Sequence, residues 1–111
     1  MSVDRVAITE RFKAIQDSIC EALEQEDGSG KFQEDAWSRP GGGGGRTRVL
    51  SHGTVIEKGG VNFSAVHGAL PEMLIREMGL EEGEFFATGV SIVQHPNNPH
   101  VPIIHMNIRY F

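Results

Sequence analysis

"SIVQHPNNPHVPIIHMNIRYF", Ser91–Phe111, decides how this chain is read. Two runs rich in β-branched residues, "GEFFATGVSIVQH" and "VPIIHMNIRYF", flank "PNNP", whose Pro and Asn residues are turn formers. The stretch reads as a β-hairpin. Side chains alternate faces along a strand. On the first strand Ser91, Val93 and His95 share one face, and Val90, Ile92 and Gln94 take the other. On the second strand His105, Asn107 and Arg109 share a face, and Ile104, Met106, Ile108 and Tyr110 take the opposite one. The apolar face is expected to pack on a core, beneath a helix.

Alternation alone is what any half-exposed strand shows. The types of polar residue are more telling: Ser, His, His, Asn and Arg, with no lysine or carboxylate. Histidine gives and takes protons near neutral pH and binds metals. Arginine offers a planar fork that matches a carboxylate. Asparagine supplies a donor and an acceptor. Together they read as the wall of a pocket for a carboxylate-bearing ligand. A metal site is a separate reading, with His95 and His105 approaching across the hairpin. Two histidines are an incomplete set, because a metal usually takes three or four protein ligands. Nothing in the spacing of His52, His67 or His100 brings them close.

Working outward, Phe12, Ile15, Ile19, Ala22 and Leu23 recur at three- and four-residue steps with charges between them. This predicts an amphipathic helix from Asp4 to about Asp27, ended by the glycines of "DGSG". "KFQEDAWS" reads as a short strand, broken by Pro40 and by Gly41–Gly45. "RTRVL" and "TVIEKGGVNFSAVHG" read as two strands with a kink or bulge at Gly59–Gly60. "PEMLIREM" reads as a short helix opened by Pro71 and ended by Gly79. One long helix followed mostly by strands implies an α+β fold on an antiparallel sheet flanked by helices, in a single domain over residues 1–111.

The glycine run admits two readings. It is either a flexible loop or a nest of amides for an anion, and Arg39, Arg46 and Arg48 beside it favour an anionic partner. It is not a nucleotide phosphate loop, because "GGGGGRTR" lacks the Gly-Lys-Ser/Thr ending. Asn62 and Ser64 share one parity in their strand, which either joins the same pocket as the hairpin or is an ordinary outer face.

The chain has 111 residues and a net charge of -5, and its basic residues are spread out. That argues against nucleic acid as a partner. A chain this long buries roughly two-thirds of its unfolded surface, enough for one core. Cys20 is the single cysteine, so no internal disulfide is expected, and its helical position suggests a small buried hydrophobe. The opening "MSVDRVAITERFK" reads as neither a secretory signal nor a membrane span. A reducing, cytoplasmic setting is expected.

Two long stretches, "FQEDAWSRPGGGGGRTRVLSHGTVIEKGGVNFSAVHG" and "FFATGVSIVQHPNNPHVPIIHMNIRYF", closely resemble the N-terminal part of oxygen-dependent coproporphyrinogen-III oxidases. They keep that family's order and spacing. The resemblance implies oxidative decarboxylation of two propionates of coproporphyrinogen III to vinyl groups, giving protoporphyrinogen IX in haem biosynthesis. It implies molecular oxygen as co-substrate, no organic cofactor, and in some members a divalent metal such as manganese. It also implies cytoplasmic homodimers and part of a larger sheet flanked by helices. Carried over by motif, Ser91, Asn107, Ile108 and Arg109 become substrate contacts. His105 becomes a proton donor and, with His95, a metal ligand. Ile108 is expected to act through its backbone.

Family members are much longer, and this chain stops inside its last strand. The expectation is a truncated chain that supplies one wall of an active site and is inactive alone. Two other readings stay open. One is a non-catalytic tetrapyrrole-binding fragment, and the other is a small metal-binding module built on His95 and His105.

Overall fold

The computed structural model describes residues 4–70, 72–79 and 83–111. Helix α1 spans Arg5–Asp27. Asp4 starts it, accepting hydrogen bonds from the amides of Val6 (2.9 Å) and Ala7 (3.2 Å), two donors the first turn cannot satisfy itself. Gly28 ends it in the left-handed conformation, φ 87°, which costs a residue without a β-carbon little. Both ends lie where the sequence places them.

Five strands follow: β1 Gln33–Ser38, β2 Gly43–Ser51, β3 Ile56–Ala69, β4 Glu84–Pro96 and β5 Ile104–Tyr110. They form one antiparallel sheet in chain order. Helix α2, Glu72–Met78, connects β3 to β4, and Gly79 follows it at φ 65°. Pro71, expected to open this helix, lies outside the described residues. The α+β architecture expected from the sequence is the one observed.

The core lies between α1 and the centre of the sheet. Phe12 and Cys20 of the helix pack with Val61 and Phe63 of β3 and Val90 and Ile92 of β4, while Ile8, Ile15, Ile19 and Leu23 close the margins. Burying each large side chain here contributes about 1.5–3 kcal/mol. Cys20 is buried as expected, and burial pushes its thiol above the ordinary range. Gln16, in the middle of this stripe, is fully buried. Its Nε2 donates to the carbonyls of Arg46 (2.8 Å) and Val61 (3.0 Å), and its Oε1 accepts from Arg46 Nε at 3.0 Å. One side chain therefore ties α1 to β2 and β3. The helical pattern read from the apolar residues alone passed over it.

Four local expectations need correction. Gly43–Gly45 are not a loop. They belong to β2, and a tight turn over Arg39–Gly42 closes the β1–β2 hairpin, with Gly42 N donating to the Arg39 carbonyl and Arg39 N to the Gly43 carbonyl. Arg46 and Arg48 do not flank an anion site. They point toward the helix, where Arg48 pairs with Asp17 (2.8 Å) and Glu34 (2.9 Å) and Arg46 with Asp17 (3.3 Å). The irregularity in β3 falls between Ile56 and Lys58 rather than at Gly59–Gly60.

The fourth correction concerns the apolar side of β5. Ile104, Met106 and Ile108 face the helix side but remain 55%, 45% and 41% exposed. The reason is geometric. A helix is about 10–12 Å across and strands lie about 4.8 Å apart, so α1 covers roughly two strands. Those two are β3 and β4, and β5 lies beyond its shadow. The radius of gyration, 16.5 Å, exceeds the roughly 13 Å of a compact chain of this size, as an open sheet covered by one helix should.

Asp27, at the end of α1, anchors the helix to the sheet. Its carboxylate accepts from the amides of Gly30 (2.8 Å), Thr54 (2.9 Å), Val55 (2.9 Å) and Ile56 (2.8 Å). Asn97 of the β4–β5 loop docks on the same segment, donating to the carbonyls of Gly53 (2.8 Å) and Thr54 (3.1 Å). The bond from Ile56, followed by those from Gly30, Val55 and Thr54, outweighs the effect of desolvation and holds the Asp27 carboxyl far below its ordinary 3.8.

These two polar anchors can be checked by unfolding. Asp27 contributes fully above pH 3.8, and the contribution is lost as pH falls from there toward its depressed folded value, because the unfolded chain takes up the proton first. Urea unfolding of Asp27→Asn should show a lower midpoint at neutral pH and a flatter dependence between about pH 5 and pH 2 than the parent chain. Gln16→Ala should lose about 1–3 kcal/mol by the same measurement, because it takes a hydrogen-bond partner from the carbonyls of Arg46 and Val61 and from Arg46 Nε.

Candidate active-site face

Helix α1 packs on β3 and β4 from one side, and among the described residues the other face of the sheet is open. The strand register lays out its residues in rows. Asp35, Thr47, Asn62, Ser91 and Asn107 form one row across all five strands. Trp37, Gly45, Ser64, Gly89 and Arg109 form the next on one side, and Gln33, Val49, Gly60, Val93 and His105 the next on the other. His95 follows on the same face, opposite Lys58 of β3.

The parity read from the sequence is therefore the parity in the fold. Ser91, His95, His105, Asn107 and Arg109 share the open face, and of the two readings for Asn62 and Ser64 the register puts both on that face. Ser91 is half-buried, and His95, His105, Asn107 and Arg109 are exposed. Ile108 stands opposite Val90 on the helix side. It can meet a ligand on the open face only through its backbone.

Three residues of this face were not singled out from the sequence. Trp37 Nε1 donates to Thr47 Oγ1 (3.1 Å), and Thr47 Oγ1 donates to Asn62 Oδ1 (2.8 Å). This relay holds Asn62 through its side-chain oxygen. The third is Lys58, which adds a cation beside His95. Its parity with Asn62 was the available signal.

His95 and His105 are diagonal neighbours across β4 and β5, because His105 stands opposite Val93. Diagonal positions lie about 7–8 Å apart, within reach of long side chains. Among the described residues, no group of three or more His, Cys, Asp or Glu side chains could hold a metal ion. His67 lies on the other parity of β3 with its ring at Gly42, and the His100 amide donates to Asn98 Oδ1 (2.9 Å) in the β4–β5 loop. The chain thus offers two imidazoles, half of a tetrahedral set.

The face is a wall, not an enclosed pocket. A cleft lined by Arg5, Phe86, Tyr110 and Phe111 lies at one end of the sheet, and an apolar groove lined by Leu23, Val55, Val101 and Ile104 runs beside the helix. Chemically, the wall combines a proton-transfer group, a guanidinium, an ammonium and a line of amide and hydroxyl groups, with the Asp35 carboxylate at its β1 edge. Such a surface suits a ligand that carries several carboxylates. Among the described residues no helix is long and apolar enough to cross a membrane.

Comparison with known proteins places this arrangement. The family model described as coproporphyrinogen III oxidase matches residues 7–111. An oxygen-dependent coproporphyrinogen-III oxidase of Prochlorococcus marinus (strain SARG) is 50% identical over 109 residues, covering 96% of this chain and 32% of the relative. The protein of the same name from Prochlorococcus marinus (strain NATL1A) is 54% identical over 99 residues, covering 87% of this chain and 28% of the relative. The chain spans about a third of the length of these relatives. With the match running through both the helix and the whole sheet, the chain belongs to the coproporphyrinogen III oxidase family.

Proposed function

We propose that this chain supplies one wall of the site in which coproporphyrinogen III is oxidised by molecular oxygen to protoporphyrinogen IX, a step of haem biosynthesis. One observation carries the reading: the register gathers Ser91, His105, Asn107 and Arg109 on a single uncovered face. The names of the relatives support it.

The substrate is a flexible macrocycle with four carboxylates. Arg109 matches one of them with two parallel N–H groups. Asn107, Ser91 and the NH2 group of Asn62 serve a second carboxylate or the pyrrole N–H groups. Each reacting propionate, as its carboxylate, becomes a vinyl group and carbon dioxide. A hydride equivalent, one proton and two electrons, passes to oxygen, and one added proton lets oxygen leave as hydrogen peroxide. A proton is therefore consumed for each propionate. His105 is the group placed to deliver it, since imidazole can both give and take a proton. The electron-rich tetrapyrrole is itself the reductant. The contribution of the protein is to hold the propionate still and to manage that proton. A divalent metal ion would take His95 and His105 from this chain and its other ligands from elsewhere.

Coproporphyrin III, the oxidised form with the same four carboxylates, is the probe. Titrated into the chain with EDTA present, it should quench fluorescence saturably. Arg109→Ala should weaken it by about ten- to a hundredfold, as expected for loss of a charged hydrogen-bonded pair. The same substitution should leave urea stability within about 0.5 kcal/mol of the parent, because Arg109 is exposed and away from the core. No saturable binding by the parent, or equal affinity in the variant, would reject the reading.

A further inference from the structure

Most glycines of the sheet have a structural reason to be glycine, and Gly60 does not. A β-carbon on Gly59 would collide with the Gln94 side chain and press on Ile56, and one on Gly45 would meet the Trp37 ring. Gly42 and Gly43 have positive φ, 131° and 83°. Gly60 meets none of these conditions. It lies within β3, its φ is not positive, and a β-carbon on it would find no atom within 4 Å. The irregularity in β3, between Ile56 and Lys58, stops short of it. Glycine inside a strand weakens the strand, and where the fold does not need it, it often marks a place where a ligand comes close.

The position of Gly60 gives the gap a shape. It stands between Val49 and Val93 on the open face, both half-buried, with His105 one strand beyond Val93. Along one side runs the polar row Thr47, Asn62, Ser91, Asn107. The result is a notch with an apolar wall on each side and hydrogen-bonding groups along its rim. From Val49 to Val93 it spans two strand spacings, about 10 Å. An apolar ring edge fits such a notch, with polar substituents reaching over the rim.

We propose that Gly60 is a ligand-contact residue, whose bare backbone receives one alkyl-substituted pyrrole edge of the tetrapyrrole between Val49 and Val93. This rests on the reading of the open face as a tetrapyrrole site and adds where the ring lies. The notch sets its depth on the wall, so that a propionate comes level with His105 and Arg109. Gly60 then acts in specificity, because any side chain there lifts the ring off the sheet.

The test compares the parent chain with Gly60→Ala, Gly60→Val and Arg109→Ala by urea unfolding and by titration with coproporphyrin III. Gly60→Ala should be at least as stable as the parent, since its methyl enters open space and a strand prefers alanine to glycine. It should nevertheless bind about tenfold more weakly or worse, and Gly60→Val more weakly still. Parent-like binding by Gly60→Ala, with binding still weakened in Arg109→Ala, would overturn this inference and leave the tetrapyrrole site intact. A destabilised Gly60→Ala would also overturn it, because the glycine would then serve the fold. Failure of the parent chain to bind would reject both.

Discussion

One helix lying across a sheet five strands wide is the constraint from which the rest follows. Helix α1 rests on Val61, Phe63, Val90 and Ile92 and shields the middle of one face. Strand side chains alternate strictly, so fixing which residues of β3 and β4 meet the helix fixes the opposite set as well. Ser91, His95, His105, Asn107 and Arg109 face outward because their neighbours in sequence face inward. A slip of one residue in the β4–β5 register would bring Met106 or Ile108 opposite Ser91 and turn His105, Asn107 and Arg109 to the helix side. The apolar packing beneath the sheet is therefore what assembles the polar wall above it.

That packing is held in place by polar contacts of long sequence reach. Gln16 bonds to strands β2 and β3 from the centre of the helix, and Asp27 gathers the amides of the β2–β3 loop at its end. Arg46 and Arg48 reinforce the same joint through Asp17 and Glu34. Each of these groups would be costly to bury unpaired. In matched sets they fix the helix in one position on the sheet, which apolar contacts alone specify less sharply. Asn97 extends the joint to the β4–β5 loop and so sets the entry to β5, the strand that carries His105, Asn107 and Arg109.

Features set by local backbone geometry were legible in the sequence. Asp4 and Gly28 marked the ends of α1 because capping depends on adjacent residues only. The sharing of a face by Ser91, His105, Asn107 and Arg109 followed from period-two alternation. Features set by distant partners were not legible. Gln16 looked like an ordinary polar residue because its partners lie 30 and 45 positions away, and Asp27 read only as a helix end. The exposure of Ile104, Met106 and Ile108 depends on the width of the sheet against that of the helix, which no strand's own sequence encodes. Gly59 and Gly60 look identical in the sequence. Only the three-dimensional surroundings separate the one required by Gln94 from the one the fold leaves free.

Everything proposed for this chain depends on the ligand meeting the open face, opposite α1. The most direct test is to map backbone amide and side-chain NMR shifts on adding coproporphyrin III to the isotopically labelled chain. Shifts should concentrate at Gly60, Asn62, Ser91, His105, Asn107 and Arg109, with Phe12, Cys20 and Leu23 of the helix unmoved. Shifts centred instead on the apolar groove of Leu23, Val55, Val101 and Ile104 would contradict this placement, because they would put the ligand on the helix side of the sheet.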